Sequence, residues 1–285
     1  MRILLAQLAP LPGELDRNAE RVAAAVRAVR TDLAVFPELY LSGYRIGDRF
    51  HQLALREGDP TLSVLRRVAR ESGTTLLLGA PLASTERAGE VHNAALAVLP
   101  SGELRVQVKR YLPTFGPFEE GVPFTPADTS VPVRLVGASV GVEVCYDAFF
   151  PEVSRQLALG GAELLVNISA APVTSRKLFE RLLPARAIEN AVPVVYVNRV
   201  GVEDGVVFGG GSGAWDARGE PIPTATVEFL PKAPEESLAL LEVDLAESVR
   251  WRPFRPVLRD VAGRPGAAPA APASSEPRSI PTRGL

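Results

Sequence analysis

Residues 140–147 read Val140-Gly141-Val142-Glu143-Val144-Cys145-Tyr146-Asp147, an apolar run that ends at the only cysteine among 285 residues. Its β-branched residues predict a short buried strand. An apolar-periodic segment opens at Pro151, and proline is favoured at the first position of a helix. A strand, an abrupt turn and a helix present a nucleophile beside backbone N–H groups that can hold an oxyanion. Cys145 is therefore a candidate nucleophile, although a free cysteine is more often a small buried hydrophobe.

Outside this stretch the chain alternates predicted strands with predicted helices. Strands are expected at 2–8, 32–36, 75–80, 93–99, 104–108, 131–135, 139–144, 162–168 and 192–198, with short strands and turns over 206–243. Helices are expected at 16–30, 62–71, 151–160 and 174–190, where apolar residues recur at helical spacing. This alternation predicts an α/β fold with mixed sheets. The segment 111–129 is irregular, and loops of that length in compact domains are usually functional.

The composition is that of an ordinary globular chain with one main domain. Hydrophobic residues make up 46% and charged residues 22%, which is ample for a large core. We expect one domain over residues 1–262 and a disordered tail over 263–285, because the tail is rich in Pro, Ala and Ser and has little apolar content.

Charge and hydropathy disfavour two classes of partner. The net charge of −2 offers no electrostatic attraction for nucleic acid or an anionic membrane surface. No apolar stretch approaches the roughly 18 to 20 residues of a membrane span. A single cysteine cannot form an internal disulfide, which suits a reducing compartment, so we expect a cytoplasmic protein.

Three ionisable residues share a position at the end of a predicted strand: Glu38, Lys109 and Cys145. The ends of strands are where α/β proteins tend to assemble sites. Neither histidine stands in a convincing setting for a Cys/His pair, since His51 lies in a polar segment and His92 begins a strand. A carboxylate is therefore the expected base for a cysteine nucleophile.

Three blocks of sequence resemble the signature motifs of the nitrilase superfamily, the carbon–nitrogen hydrolases with a Glu-Lys-Cys triad. The blocks are Phe36-Pro37-Glu38 with Ser42-Gly43-Tyr44, Lys109-Arg110-Tyr111-Leu112-Pro113, and Cys145-Tyr146-Asp147 with Phe150-Pro151-Glu152. Their order and separations match, and the resemblance covers about residues 1–255. It implies a four-layer α-β-β-α sandwich that pairs into a homodimer or a higher homo-oligomer.

The resemblance also implies roles for individual residues. Cys145 attacks an amide carbon, Glu38 serves as the base, and Lys109 stabilises the oxyanion with the backbone N–H of Tyr146. Only three of the 31 basic residues are lysines, so a lysine at 109 stands out from the arginine bias of the chain. A second glutamate of the family corresponds to Glu120, which we favour over Glu119 and expect to hold Lys109. Substrate contacts are expected from Tyr44, Phe115, Tyr146, Ser169 and Ala170.

The branch of the superfamily is less sharply indicated. Two segments, 112–120 and 196–212, resemble the glutamine-amidase domain of glutamine-dependent NAD synthetases. Two features differ from that branch: Tyr146 follows Cys145 where a glutamate is common, and the chain ends in a low-complexity stretch where a synthetase domain would be expected. The Cys-Tyr-Asp motif with Phe-Pro-Glu is more similar to free-standing amidases and carbamoyl-amine hydrolases.

The leading hypothesis is an amidase that converts a small linear carboxamide to a carboxylate and ammonia. The alternatives are an N-carbamoyl amine hydrolase, a glutaminase subunit that feeds a separate synthetase, and a non-catalytic binding module. We find no metal-ligand cluster in the sequence, and the resemblance implies no cofactor. Arg176, Lys177 and Arg181 form either a solvated helix face or a cation site for a substrate carboxylate, with the solvated face favoured for Lys177.

Overall fold

The computed structural model describes residues 1–228, 233 and 235–262. In this part of the chain the strands, in chain order, are β1 (Arg2–Gln7), β2 (Leu33–Val35), β3 (Thr75–Ala83), β4 (Val91–Val98), β5 (Leu104–Val108), β6 (Val133–Leu135), β7 (Ala138–Val144), β8 (Leu164–Ser169), β9 (Val194–Asn198), β10 (Val200–Glu203), β11 (Val206–Gly209), β12 (Gly213–Trp215), β13 (Ala225–Val227) and β14 (Ser237–Glu242).

The helices of the same residues are α1 (Leu15–Ala28), α2 (Phe50–Leu53), α3 (Pro60–Ser72), α4 (Pro151–Leu159), α5 (Arg176–Asn190), α6 (Leu245–Trp251) and α7 (Val257–Val261). Short 3₁₀ turns cover Gly47–Arg49, Cys145–Phe149 and Val173–Ser175. Among the described helices, none is long and apolar enough to cross a bilayer.

The strands form two large mixed sheets and one hairpin. The larger sheet has the order β13-β14-β1-β2-β3-β4-β5, the smaller sheet has the order β12-β9-β8-β7-β6, and β10 pairs with β11. In each large sheet the central strands are parallel and the flanking strands are antiparallel. The predicted mixed α/β sheets are therefore confirmed.

The two large sheets pack face to face between two pairs of helices. One face of the larger sheet packs on α1 and α3. Its other face meets the smaller sheet in a cluster that we call the inter-sheet core, which includes Ile3, Leu5, Val35, Leu77, Val142, Val144, Val166 and Val197. The outer face of the smaller sheet packs on α4 and α5. The four-layer α-β-β-α sandwich expected from the sequence is confirmed.

The alternation of side chains along β7 explains its place between two layers. Val142 and Val144 point into the inter-sheet core, whereas Gly141 faces α4. A Cβ at position 141 would lie 2.7 Å from Leu165 Cδ2 and 2.9 Å from Leu157 Cβ. Glycine is therefore needed at this position for the close approach of helix and strand.

Local signals in the sequence set the limits of α3. The Asp59 carboxylate accepts a hydrogen bond from the Thr61 N–H (2.8 Å), and Pro60 occupies the first helical position. Gly73 ends the helix with a φ of +67°, in the left-handed region that glycine adopts without strain. The helix is longer than predicted by two residues at its start and one at its end.

The other predicted elements lie where the sequence placed them, with ends displaced by at most three residues. The segment 111–129 contains no helix or strand, as expected. The proposed tail, 263–285, lies outside the described residues, so that boundary stays a prediction.

Glu143 is a buried carboxyl on the helix-facing side of β7. It is 0% exposed and accepts a hydrogen bond from the Ser154 hydroxyl of α4, while its Oε2 has no partner. Burial raises the pKa of this carboxyl to about 7, against the smaller opposite effect of the Ser154 hydrogen bond.

Replacing Glu143 with glutamine is expected to remove part of the pH dependence of stability. The folded chain holds the Glu143 proton more tightly than the unfolded chain, so this contribution to stability is complete below pH 4.5 and is lost as the pH rises to about 7. Glu143→Gln should therefore gain roughly 2 to 4 kcal/mol relative to the native chain between pH 4.5 and pH 8. Urea unfolding at both pH values measures the difference. The exposed Glu242→Gln is the control, and an equal pH response in both variants would contradict the assignment.

Candidate active site

The larger sheet places Glu38 three residues after β2, where the chain crosses the backbone of β3. The Gly79 N–H donates to the Pro37 carbonyl (3.0 Å), and the Leu41 N–H donates to the Gly79 carbonyl (3.2 Å). A Cβ at position 79 would lie 2.5 Å from Glu38 Cα. The absence of a side chain at Gly79 thus allows the Glu38 loop to lie directly on the sheet.

Both carboxylate oxygens of Glu38 are held by other elements. Oε1 accepts from Lys109 Nζ (2.6 Å) and from Asn93 Nδ2 (2.7 Å), while Oε2 accepts from the Ala170 N–H (2.8 Å). Lys109 follows β5, Asn93 lies on β4, and Ala170 follows β8 of the smaller sheet. Glu38 therefore links the ends of strands from both sheets.

Lys109 lies between two carboxylates. Its Nζ is 2.6 Å from Glu38 Oε1 and 2.7 Å from Glu120 Oε1, and its side chain is 0% exposed. Asn93 Nδ2 also donates to Glu120 Oε2 (3.1 Å), so one amide spans both acids. We call Glu38, Asn93, Lys109 and Glu120 the acid–lysine cluster.

Tyr44 closes the outer side of the acid–lysine cluster. Its hydroxyl donates to Glu120 Oε1, and its backbone N–H donates to Glu203 Oε1 (3.0 Å) on the β10–β11 hairpin. Glu203 pairs in turn with the buried Arg199, whose guanidinium lies 3.9 Å from the centre of the Phe208 ring. The hairpin thus fixes the loop that carries Tyr44.

The charges of the acid–lysine cluster are set by burial and by one another. Burial lowers the pKa of Lys109, but the negative Glu120 and Glu38 outweigh it and raise that pKa above its ordinary value. Burial raises the pKa of Glu120 to about 7, the Lys109 cation opposes this rise, and Glu38 adds to it. Lys109 is therefore a stable cation, and the Glu120 carboxyl exchanges its proton near neutral pH.

Cys145 stands at the turn between β7 and α4 in a strained conformation. Its φ is +49°, in the left-handed region where a β-carbon is unfavourable, so the surrounding contacts must impose it. Asn167 Nδ2 donates to the Cys145 carbonyl (3.2 Å), and Arg186 Nε donates to the Ala148 carbonyl (2.8 Å). The turn is thus held from β8 and from α5.

The surroundings of the Cys145 thiol disfavour its charged form. Burial raises its pKa above the ordinary value, the negative Glu38 adds to the rise, and the Lys109 cation opposes it. A neutral thiol needs a base at the moment of attack. The strand register brings Cys145 towards Glu38: Val144 pairs with Ile168, and the Ala170 N–H just after β8 donates to Glu38 Oε2 (2.8 Å).

Asp147 ties the turn of Cys145 to the segment that follows Lys109. Its Oδ1 accepts from the N–H groups of Arg110 (3.1 Å) and Tyr111 (2.9 Å), and its Oδ2 accepts from the Val144 N–H (3.1 Å). The residue is 1% exposed. One buried carboxylate therefore fixes the end of a strand in each sheet.

The structure brings three of the predicted catalytic residues, Glu38, Lys109 and Glu120, into direct contact, with Cys145 beside them. It places Tyr44 on Glu120 and uses the Ala170 N–H to hold Glu38. Ser169 donates to Asn167 Oδ1 (2.7 Å), and that asparagine holds the Cys145 carbonyl. The remaining predicted contacts, Phe115 and Tyr146, are neighbouring rings with centroids 5.3 Å apart.

Among the described residues, neither histidine shares a hydrogen bond with Cys145 or with the acid–lysine cluster. His51 is exposed on the short helix α2, and His92 Nδ1 lies 2.8 Å from the Thr125 carbonyl oxygen. The sequence reasoning assigned no role to Asn93, Asp147 or the Arg199–Glu203 pair. The sequence signal that could have identified Asn93 is an amide side chain in a predicted strand whose other residues are apolar.

Comparison with known proteins gives a consistent family assignment. The model of the carbon-nitrogen hydrolase family matches residues 2–253. The glutamine-dependent NAD(+) synthetase of Thermotoga maritima is 37% identical over 259 residues, which cover 88% of this chain and 43% of that protein. The chain thus spans less than half of this relative's length. An (R)-stereoselective amidase of Pseudomonas sp is 37% identical over 222 residues, covering 77% of this chain and 78% of the amidase.

Solved structures show the same architecture. A carbon-nitrogen hydrolase from Helicobacter pylori G27 aligns with a TM-score of 0.78 and 25% identity, over 91% of this chain and 94% of that one. An amidase variant from Nesterenkonia sp. AN1, with acrylamide added to its active-site cysteine, aligns with a TM-score of 0.73 and 28% identity. That alignment covers 89% of this chain and 97% of the amidase.

Proposed function

Because this chain belongs to the carbon–nitrogen hydrolase family, we propose that it hydrolyses a small linear carboxamide to a carboxylate and ammonia through a thioester on Cys145. The observation that carries the proposal is the acid–lysine cluster, whose two acids and one cation lie beside a strained cysteine. A base, a fixed positive charge and a nucleophile are the groups that acyl transfer requires.

In the first half of the reaction Cys145 Sγ attacks the amide carbon and Glu38 takes the thiol proton. The carbonyl π electrons move to oxygen, and the resulting oxyanion is stabilised by Lys109 Nζ and the Tyr146 N–H. Glu38 returns the proton to the amide nitrogen as the C–N bond breaks. Ammonia leaves, and a thioester remains on Cys145.

In the second half Glu38 removes a proton from water, which attacks the thioester carbon. The C–S bond breaks, the thiolate is protonated again, and the carboxylate leaves. Glu120 and Asn93 do not touch the reacting carbon in this scheme. They hold Lys109 and Glu38 in place, and Glu120 sets the proton content of the acid–lysine cluster.

Ammonia release from a substrate panel tests this proposal. The panel contains acetamide, L-glutamine, an N-carbamoyl amine and a nitrile, with Cys145→Ala as the control. Cys145-dependent release from amides supports the proposal, whereas release of carbon dioxide together with ammonia from the carbamoyl compound alone would replace it with carbamoyl-amine hydrolysis. A folded protein that releases no ammonia from any compound would overturn it.

A second candidate is a glutaminase that supplies ammonia to a separate synthetase. It is favoured by the identity of 37% to the Thermotoga maritima NAD(+) synthetase. The discriminating measurement is glutamine hydrolysis with and without an ammonia-dependent NAD synthetase. Stimulation by that partner supports the second candidate, and equal rates with amides as the better substrates support the first.

Asp147→Asn is expected to lower kcat by roughly 10- to 100-fold with little change in KM. Asparagine has one acceptor oxygen where aspartate has two. It therefore loses either the hydrogen bonds from the Arg110 and Tyr111 N–H groups or the one from the Val144 N–H, and the segments of Lys109 and Cys145 move apart. Steady-state kinetics with the best amide measure the split between kcat and KM.

The rate of Cys145 alkylation by iodoacetamide is a second readout for Asp147→Asn, because a purely structural role would not change thiol reactivity. The matched control is Asp216→Asn, at a carboxylate that caps a turn far along the chain. Unchanged kcat and unchanged alkylation in Asp147→Asn would show that this residue does not position the site.

A further inference from the structure

Six aromatic rings form a continuous line beside the acid–lysine cluster and Cys145, which we call the aromatic wall. Successive centroid distances along it are 6.0, 5.9, 5.3, 5.1 and 3.4 Å, for the rings in the order Tyr44, Phe118, Phe115, Tyr146, Phe150 and Tyr111. Edge-to-face contacts and one stack hold the rings in fixed relative positions.

The aromatic wall extends from the acid–lysine cluster to the Cys145 turn. At one end the Tyr44 hydroxyl donates to Glu120, and farther along the wall Tyr146 directly follows Cys145. Tyr111 and Phe150 pack with Cys145 against the same cluster on the smaller sheet. A substrate whose amide carbon reaches Cys145 Sγ therefore has these rings beside the rest of its acyl chain.

Phe115 is the ring of the aromatic wall with the most open surface. Its residue is 53% exposed, although it makes edge contacts with Phe118 and Tyr146. An exposed phenylalanine ring gains free energy when an apolar group covers it, roughly in proportion to the apolar area removed from water. It is thus suited to contact an apolar substituent and offers no hydrogen bond to a charged one.

Three arginines on the neighbouring segments already have acceptors. Arg45 pairs with Asp204 (2.8 Å) and donates to the Pro117 carbonyl, Arg110 Nη1 donates to Gln156 Oε1 (2.8 Å), and Arg176 pairs with Glu180 (2.9 Å). A buried carboxylate without a cation or hydrogen-bond donors is strongly unfavourable. The exposed Lys177, with Arg181 one helical turn farther along α5, is the alternative partner for such a carboxylate.

We infer that the carboxamide substrate carries an apolar or aromatic substituent, and that Phe115 packs against it and sets this specificity. The inference rests on the proposed amidase function and narrows its substrate class. It predicts that phenylacetamide is a better substrate than acetamide or L-glutamine.

The test measures kcat/KM of the full chain for acetamide, phenylacetamide and L-glutamine. Phenylacetamide is expected to exceed acetamide by about 10-fold or more. Phe115→Ala should reduce the ratio of kcat/KM for phenylacetamide to kcat/KM for acetamide by about 10-fold. Phe115→Tyr, which keeps the ring, should preserve that ratio. Val122→Ala is the matched control, since Val122 is an exposed apolar residue of the same loop outside the aromatic wall.

Two results would overturn the inference while leaving the amidase function intact. One is hydrolysis of acetamide with no preference for phenylacetamide and no change of ratio in Phe115→Ala. The other is a preference for L-glutamine that Lys177→Ala removes, which would assign the substituent to a cation site. Absence of Cys145-dependent hydrolysis of every amide would instead defeat the proposed function itself.

Discussion

Cys145→Ala is expected to abolish amide hydrolysis, with a loss of at least about 10⁴-fold in kcat, because no other group can form the acyl intermediate. The acid–lysine cluster remains in this variant, so binding of the amide should persist. Alanine keeps the strained backbone of residue 145 and removes one sulfur atom, so the free energy of unfolding should change by only about 1 kcal/mol.

Three measurements check the Cys145→Ala prediction: ammonia release, amide binding by calorimetry and urea unfolding. Cys145→Ser serves as the companion variant, because it keeps a side chain of similar shape with a much weaker nucleophile. A kcat of Cys145→Ala within about 100-fold of that of the native chain would contradict the thioester route.

Lys109→Arg is expected to lower kcat/KM by about 10³-fold or more. The ammonium sits between two carboxylate oxygens 2.6 and 2.7 Å away and has no exposed surface. A guanidinium is planar and larger, so it cannot occupy this position without displacing Glu38 or Glu120. The loss should appear chiefly in kcat, since the charge is required where the oxyanion develops.

The net charge of the acid–lysine cluster provides a control experiment for the role of the Lys109 cation. Lys109→Met leaves two buried acids without a cation and should destabilise the fold by about 3 to 5 kcal/mol. Lys109→Met with Glu120→Gln should recover part of that stability and none of the activity. Equal stability of the single and double variants, measured by urea unfolding, would show that the cation does not balance Glu120.

Much of the fold could be predicted because its signals are local. Alternating valines mark β7, and Asp59, Pro60 and Gly73 mark the limits of α3. The predicted strands end at Glu38, Lys109 and Cys145, which the fold brings to one edge of the sandwich.

Other parts of the site depend on contacts that sequence spacing does not reveal. Asn93 reads as an ordinary strand residue, yet its partners are Glu38 and Glu120, 55 and 27 positions away. Tyr44 is expected to contact substrate, and its hydroxyl also donates to Glu120 Oε1, a contact that the sequence did not indicate. The orientation of Tyr44 is fixed by Glu203, 159 positions later in the chain. Such contacts join segments that are far apart in the chain, so a single sequence does not specify them.

The site is divided between the sheets: Glu38 and Lys109 extend from the larger one, Cys145 and Ala170 from the smaller one. The relative position of base and nucleophile therefore depends on how the inter-sheet core, with side chains such as Leu77 and Val142, holds the two sheets together. Removing a methyl group there should lower turnover together with the free energy of unfolding. In this architecture, the reaction rate reports on how the core is packed.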